Sequence, residues 1–344
     1  MTTAYTKIDV ASLKSLAIDV FRHAGLSHED AGMASEILVE ADMMGVDTHG
    51  VSRLEVYTDR LRSGGINRDA RIKVDKRAPS LALVDGDNGL GPVVGGKALK
   101  AAFEMVRETG IAYVGCRHSN HFGALAPYAI RACEAGFVFV GGTNASTTIC
   151  AWGGKEARLG NNPFSVAAPC RSGFHFILDM AMSVAARGKI RAARDSGEPI
   201  PQGWAVDQNG LPTTDPREAL KGFLLPVGAY KGSGFAMAVD ILSGVLTGGR
   251  FLSDISSWVD NPEAPSGVGH FFLLIDPDRL IGKENFADAM DRFRELVLST
   301  PAADASAPVL LPGQLQQTRR QDALANGIEI PDELLAAIRA LAAR

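Results

Sequence analysis

Residues 46–53 read VDTHGVSR, which sets His49 four positions before Arg53 and just past Gly45, a residue placed to end a helix. An imidazole titrates near neutrality and can deliver or take a proton. A guanidinium presents a fork of donors that matches a carboxylate. If Ser52 caps the next helix, Arg53 falls in its first turn, where the helix dipole opposes a cation. A cation put there at some cost is more readily explained if it meets an anion. The bland alternative is a loop histidine beside a solvated arginine.

A second group follows in CRHSNHFGAL, residues 116–125. Asn120 is placed to cap a helix, which would set His121 at its positive end, where the imidazolium is disfavoured and a neutral ring can accept or relay a proton. His118 and His121 are three apart, but no carboxylate or further histidine lies close in sequence, so no metal site is expected. TNAS (143–146), RLGNNPFSVAAP (158–169) and ILDMAMSVAARGKI (177–190) put Asn, Asp or Gly at strand ends, where loops carry ligand contacts. LLPVGAYKGSGFAMAVDIL puts Lys231 and two glycines at a helix start, an arrangement able to hold phosphate. Each alone is ordinary turn chemistry. Together they point to a ligand site.

The elements that must position these residues divide along the chain. Val10, Leu13, Ala17, Val20, Phe21 and Ala24 recur at helical spacing after Asp9, and Ser27 opens a second helix that stops at Gly45. A third ends at Gly64-Gly65. From SLALVDGDNG onward, short β-rich runs (GIAYVGCRHS, GFVFVGGTN, FHFILDMA, HFFLLIDP) alternate with helical stretches, and helices return near the C-terminus. The fold class expected is α+β: a central domain over 76–284, and a mostly helical domain built from 1–75 and 285–344. Gly89, Gly91 and Gly95 follow a strand and precede a helix, which invites a dinucleotide fingerprint. The spacing is GxGxxxG, Pro92 interrupts the turn, and the next strand ends at Cys116-Arg117 without the acidic residue a ribose needs.

Composition removes several classes. The net charge of −4 over 344 residues argues against nucleic acid or an anionic membrane surface as the main partner. The stretch GFAMAVDILSGVLTGG carries Asp240 and is too short to span a bilayer comfortably. Cysteines 116, 133, 150 and 170 form no CxxC pair and read as reduced structural thiols in a cytoplasmic protein.

GVDTHGVSRLEVYTDRLRSGGIN, SNHFGALAPYA, GNNPFSVAAP, ILDMAMS, ARGKI, LPTTDP and YKGSGFAMAVDILSGVLTGG resemble the malate/L-lactate dehydrogenase family of sulfolactate-dehydrogenase-like oxidoreductases, over nearly the whole chain. The resemblance implies a homodimer with a nicotinamide-binding fold that is not Rossmann, using NAD or NADP. It places a proton donor on His49, a carboxylate-binding arginine on Arg53, and an acid/base used by other members on His121. It places a substrate contact on Asn161. Cofactor contacts fall on His121, Phe122, Gly123 and on to Leu125, on Asp179, Met180 and Ala181, on Tyr230 and Lys231, and on the segment starting near Gly313. The family's imine reductases use a Ser–His–Asp relay. Here the Ser position is Thr48, which keeps a hydroxyl, and the Asp position is Lys189, which reverses the charge and cannot orient an imidazole as a carboxylate does. That favours interconversion of a 2-hydroxy acid and its 2-oxo acid, with reduction of a cyclic imine carboxylate as the alternative and a cofactor-free binding protein as the rival from another class. Arg319 and Arg320 are placed either to meet a 2′-phosphate or to be surface charge.

Overall fold

The computed structural model describes residues 4–171, 174–304 and 306–343. In chain order the elements are β1 (Tyr5–Ile8), α1 (Val10–His23), α2 (His28–Met43), α3 (Leu54–Ser63), β2 (Lys73–Ala78), β3 (Leu81–Asp85), α4 (Gly91–Thr109), β4 (Ile111–Ser119), α5 (Ala126–Glu134), β5 (Val138–Thr143), β6 (Thr147–Cys150), β7 (Ala157–Gly160), β8 (Phe164–Ala168) and β9 (Phe176–Met180). They continue with α6 (Arg187–Ser196), β10 (Ala205–Val206), β11 (Pro212–Thr213), α7 (Pro216–Lys221), β12 (Phe223–Leu224), α8 (Tyr230–Asp240), β13 (Val268–Ile275), α9 (Asp278–Ile281), α10 (Lys283–Leu298), α11 (Gln314–Asn326), β14 (Ile328–Pro331) and α12 (Asp332–Ala342). The architecture is mixed α/β.

The main sheet has seven strands in the order β2-β3-β4-β13-β5-β8-β9. β13 lies at its centre, covered on both faces, which is why VGHFFLLI is apolar almost throughout. Val114, Phe272 and Leu274 point toward α4 and α5 and join their Val94, Ala98, Tyr128 and Ala129 in one apolar cluster. On the opposite face Tyr113 stacks on Phe271, and its hydroxyl donates to the Leu242 carbonyl in the π-helical turn that ends α8. β4 and β5 both run antiparallel to β13, and β8 runs antiparallel to both β5 and β9. The carboxyl ends of β4, β5 and β9 therefore gather at one end of the sheet. A smaller sheet, β11-β10-β12-β6-β7, packs with α6 and α7 around Ile149, Leu159, Ile190 and Leu224.

Both chain termini contribute to a second apolar cluster: Leu13, Ala17 and Phe21 of α1, Leu38 of α2, Leu54 and Tyr57 of α3, Leu335 and Ile338 of α12. Asp9 accepts from the Ser12 N–H and Ser27 from the Asp30 N–H, so both expected caps form. β1 and β14 pair antiparallel and tie the two termini together. Four residues each, they are too short for alternation to show in the sequence.

β3, α4 and β4 do form a parallel βαβ unit, as the Gly-rich stretch suggests. Its helix start is nevertheless closed to a phosphate. A Cβ on Gly91 would lie 2.2 Å from the His121 carbonyl oxygen and 2.4 Å from that of Asn120. The end of α4 that a dinucleotide would use is filled by the protein's own backbone.

The 45–53 turn differs in detail from its expectation. Gly45 leaves α2 at φ +71°, then two 3-10 turns, Asp47–His49 and Val51–Arg53, precede α3. Ser52 does not cap: its hydroxyl donates to the Asp47 carbonyl. The carboxylate that holds this turn comes from α2, where buried Asp42 accepts the Val51 N–H at 2.7 Å. Gly50 is required there, since a Cβ would fall 1.8 Å from Asp42 Oδ1.

Burial raises the Asp42 pKa to about 8, against the opposing Val51 hydrogen bond and with help from Asp47. An unfolded Asp ionises near 4. Between those values unfolding releases a proton, so this group's contribution to stability is full below about pH 4, falls as pH rises toward 8, and levels off above. Asp42→Asn keeps an acceptor for Val51 and removes the ionisation. It is expected to raise the melting temperature relative to the parent by more at pH 8 than at pH 5. An increment independent of pH would mean that Asp42 is charged in the fold.

Candidate active site

The turn between α2 and α3 lowers His49 and Arg53 onto the carboxyl ends of the main-sheet strands. The His49 Nδ1 lies 2.9 Å from the Thr48 hydroxyl, which either gives or takes the shared hydrogen. Arg53 donates from Nε to the Thr48 carbonyl at 2.5 Å, and its guanidinium carbon sits 5.5 Å from the centroid of Trp258. Thr48 thus fixes both side chains. Arg53 has no carboxylate partner among the described residues; the charges acting on it are Tyr57 and Arg191. Burial lowers its pKa, with Arg191 in the same direction. The His49 pKa falls to about 4, first through burial and then through Arg53.

His121 follows β4 directly. Its ring centroid is 5.4 Å from that of His49 and 5.4 Å from that of Trp258, and its Nδ1 is 2.5 Å from the Tyr57 hydroxyl. Asn120 does not cap a helix, in contrast to the sequence expectation. It is buried, donates to Asn88 and Gly89, and accepts from Arg60 at 3.1 Å. α5 begins only at Ala126, and its N–H is capped from β9 by Asp179 at 2.8 Å. The His121 pKa is indeed pushed well down, but the causes are burial first, then His49, Arg53, His270 and Arg60. Buried Arg60 also donates to Pro262, Gly65 and Ala264, clamping the segment that carries Trp258. Beneath the site Phe122 stacks on His270 at 4.0 Å, and His270 bridges Thr143 and Ser119.

Two cavities meet here. A cleft of about 480 Å³ is lined by His49, Gly123 to Ala126, Asn161, Ile177 to Ala181, Pro312 and Gly313. A narrow chamber of about 50 Å³ is lined by His49, His121, Phe122, Asn144, Ala145 and Trp258, among others. They share His49, Gly123, Asn161 and Pro163. The cleft fits a dinucleotide on its own terms. Its volume is in the range of small-molecule and cofactor sites, roughly 300–1,000 Å³. β9 is an edge strand, and the Ile177 N–H is turned outward to the Pro312 carbonyl. By the alternation of an antiparallel ladder the Asp179 N–H and C=O point the same way, along the cleft wall.

His49, His121, Phe122, Gly123, Asn161, Asp179, Met180, Ala181 and Gly313 line these cavities, while Thr48 and Arg53 line neither and join the group through the Thr48 bonds to His49 and Arg53 and the Arg53 contact with Trp258. Asn161 depends on its neighbour Asn162, which is buried in a left-handed conformation and bonds Ala145 and Ala236. Lys189, near the start of α6, is exposed and lines neither cavity. Tyr230 and Lys231 open α8 on the surface, also outside both. Arg320 is held by Glu40 and, at 3.1 Å, by Glu134, which makes it structural. Exposed Arg319 lies over Gly45. His118 turns away to Asp85, and among the described residues no group of three or more acidic, His or Cys side chains could hold a metal. Tyr57, Asp42, Arg60 and Trp258 are missing from the sequence reading. Tyr57 carries a signal, four residues after Arg53 on the same helical face; Trp258 carries none.

The chain resembles known proteins over its whole length. The family model described as malate/L-lactate dehydrogenase matches residues 8–339. The chain is 37% identical to malate dehydrogenase of Pyrococcus horikoshii, over 99% of this chain and 96% of that one. It is 35% identical to ureidoglycolate dehydrogenase (NAD(+)) of Escherichia coli, over 95% and 93%. The solved sulfolactate dehydrogenase of Methanocaldococcus jannaschii superposes with a TM-score of 0.91 at 34% identity, covering 98% of this chain and 96% of that one. These matches run over nearly the full length of the chain, and the chain belongs to the malate/L-lactate dehydrogenase family.

Proposed function

We propose that this protein transfers a hydride between NAD(P)H and a small 2-oxo acid, or in reverse between a 2-hydroxy acid and NAD(P). The observation that carries this is the pair His49 and Arg53: His49 lines both cleft and chamber, and Arg53 is a half-buried cation fixed by Thr48 against Trp258 of the chamber wall, with no carboxylate partner among the described residues. Arg53 binds the substrate carboxylate. His49 then lies beside the carbon that changes hybridisation, where it takes the hydroxyl proton in oxidation and returns it in reduction. Thr48 holds the ring and Asn161 borders the chamber. The nicotinamide of a cofactor lying in the cleft supplies or accepts the hydride. Asp179 offers it edge-strand backbone, and Met180, Ala181, Gly123 and Gly313 line the cleft beside it. The chamber, at about 50 Å³, favours a small acid.

Reduction of a cyclic imine carboxylate is the weaker reading, because Lys189 supplies a cation where that relay needs a carboxylate. The cofactor-binding unit is the main sheet with α4, α5 and α8, without a Rossmann phosphate loop; the two termini form its helical neighbour. The working form is a homodimer in the cytoplasm. Phe235, Met237, Ile241, Val245 and Leu246 form an exposed apolar face along α8 and its π-helical end, a surface a second copy would cover. Tyr230 and Lys231 begin that face, which ties their part in holding the cofactor to the dimer.

His49→Ala is expected to lower turnover by about 10²–10⁴ while leaving cofactor affinity within about twofold. Unchanged turnover with saturating 2-oxo acid would remove His49 from the mechanism. In the free protein His49 is neutral above about pH 4, so kcat/KM for hydroxy-acid oxidation should be flat from pH 5 to 8 and fall toward pH 4. Reduction needs the protonated ring and should decline over the same range. An oxidation midpoint near that of an ordinary histidine would contradict the burial argument. Arg53→Ala should cost about 10²-fold or more in kcat/KM with the acid. The amide analogue should lose far less, and equal losses would mean that the guanidinium does not meet the carboxylate.

A further inference from the structure

Two imidazoles reach the reacting space, and the hydrogen bonds around them are not equivalent. The Tyr57 hydroxyl is buried and stands 2.5 Å from His121 Nδ1. A phenol has one hydrogen to give and lone pairs to receive. Among the described residues His121 Nδ1 is the one hydrogen-bond partner of this hydroxyl, and the backbone N–H of Gly123 nearby is a donor that offers the phenolic hydrogen no acceptor. The phenolic hydrogen has one acceptor left, the ring nitrogen Nδ1. Burial also raises the Tyr57 pKa, which keeps that hydrogen on the phenol. His49 is held differently: its Nδ1 faces the Thr48 hydroxyl, on an exposed residue free to rotate and to act as either donor or acceptor.

We infer that Tyr57 is a positioning residue that fixes His121 as the neutral Nε2–H tautomer, so that His121 serves the site as a permanent hydrogen-bond donor while His49 alone exchanges the proton. His121 cannot accept at Nδ1 without expelling the Tyr57 hydrogen, nor at Nε2, which already carries one. Its charged and titratable neighbours are His49, Arg53, His270 and Arg60, which oppose a second proton, and no carboxylate is among them. The ring's remaining function is directional. Its Nε2–H is aimed at an oxygen that gains negative charge, and a donor of that kind helps most when it does not reorient during the reaction. His49, whose partner can reverse its role, passes between imidazole and imidazolium without leaving a hydrogen bond unmade.

This assignment rests on the hydride-transfer reading for its consequence but not for its test. The first measurement is the ¹⁵N spectrum of the intact protein labelled in its histidine rings, with His121 assigned by loss of its signals in His121→Gln. The expected result is a protonated Nε2 and a hydrogen-bonded, unprotonated Nδ1 for His121, and in Tyr57→Phe a shift of that tautomer ratio. A protonated Nδ1 on His121, or a ratio untouched by Tyr57→Phe, overturns the inference whatever the enzyme does. The second is turnover. The Gln amide can still donate near the Nε2 position but cannot titrate, so His121→Gln should lose about tenfold and His49→Gln about 10³-fold or more. The reverse order would make His121 the proton carrier. If the parent protein itself turns over none of the 2-oxo acids, 2-hydroxy acids or imines with either cofactor, the functional reading fails while the tautomer result stands.

Discussion

The site is organised around a cation that the protein leaves without a counter-charge. A buried guanidinium is tolerable when its donors are satisfied, and Arg60 shows how: four carbonyl or amide oxygens surround it. Arg53, seven residues earlier, has one such bond and an indole face. The difference is one of purpose. Arg60 is closed by backbone and ties Asn120 to the segment bearing Trp258. Arg53 is held by Thr48 and Trp258 with no carboxylate partner among the described residues, which is what the proposed substrate carboxylate would supply. The two neighbouring imidazoles follow from the same field. Beside an unneutralised guanidinium, in surroundings that penalise charge, neither is favoured as a cation, and both pKa values are driven down.

The rest of the fold places that cation. The main sheet supplies a rigid end at which three strands finish together, and β9 at its edge leaves backbone groups facing the cleft. The helices from the N-terminal part of the chain reach this chemistry through the α2–α3 turn and through Tyr57 of α3. Their apolar cluster fixes α2 and α3, and Asp42 then draws the backbone at Val51 onto α2. A carboxyl buried so that it stays neutral near pH 7 is an unusual tether, since it gives up the stronger charged hydrogen bond.

Much of this could be read in the residues. Asp9, Ser27, Gly45 and Gly64 punctuate helices where their chemistry says they should. The glycines at 89, 91 and 95 lack the spacing of a dinucleotide motif, and in space the backbone carbonyls of Asn120 and His121 fill the helix start at Gly91. His49 and Arg53 announce themselves because their types and separation suit one task. What stayed hidden depends on distance along the chain. Asn120 looked like a cap because Ser-Asn-His precedes a helix, but its partners Asn88 and Arg60 lie 32 and 60 residues away. The actual cap of α5 comes from Asp179, 53 residues downstream. Trp258 belongs to a segment with no periodicity, and only its clamp on Arg60 brings it over the site.

The same open cation gives the protein a way to couple substrate binding to proton uptake. In the free site Arg53 lowers the proton affinity of His49. A bound carboxylate cancels much of that field at short range, and the ring becomes more basic when the substrate is seated. Desolvation by the incoming ligand acts the other way, against charge. The sign of the net change depends on which is larger, and burial already leads Arg53 among the causes of the low His49 pKa. In the proposed reaction, cancelling the Arg53 field would strengthen the base when the hydroxy acid is seated and stabilise the imidazolium when the oxo acid is. No second acid is required for either direction, provided the neighbouring ring stays neutral. That condition is what the buried phenol beside His121 secures.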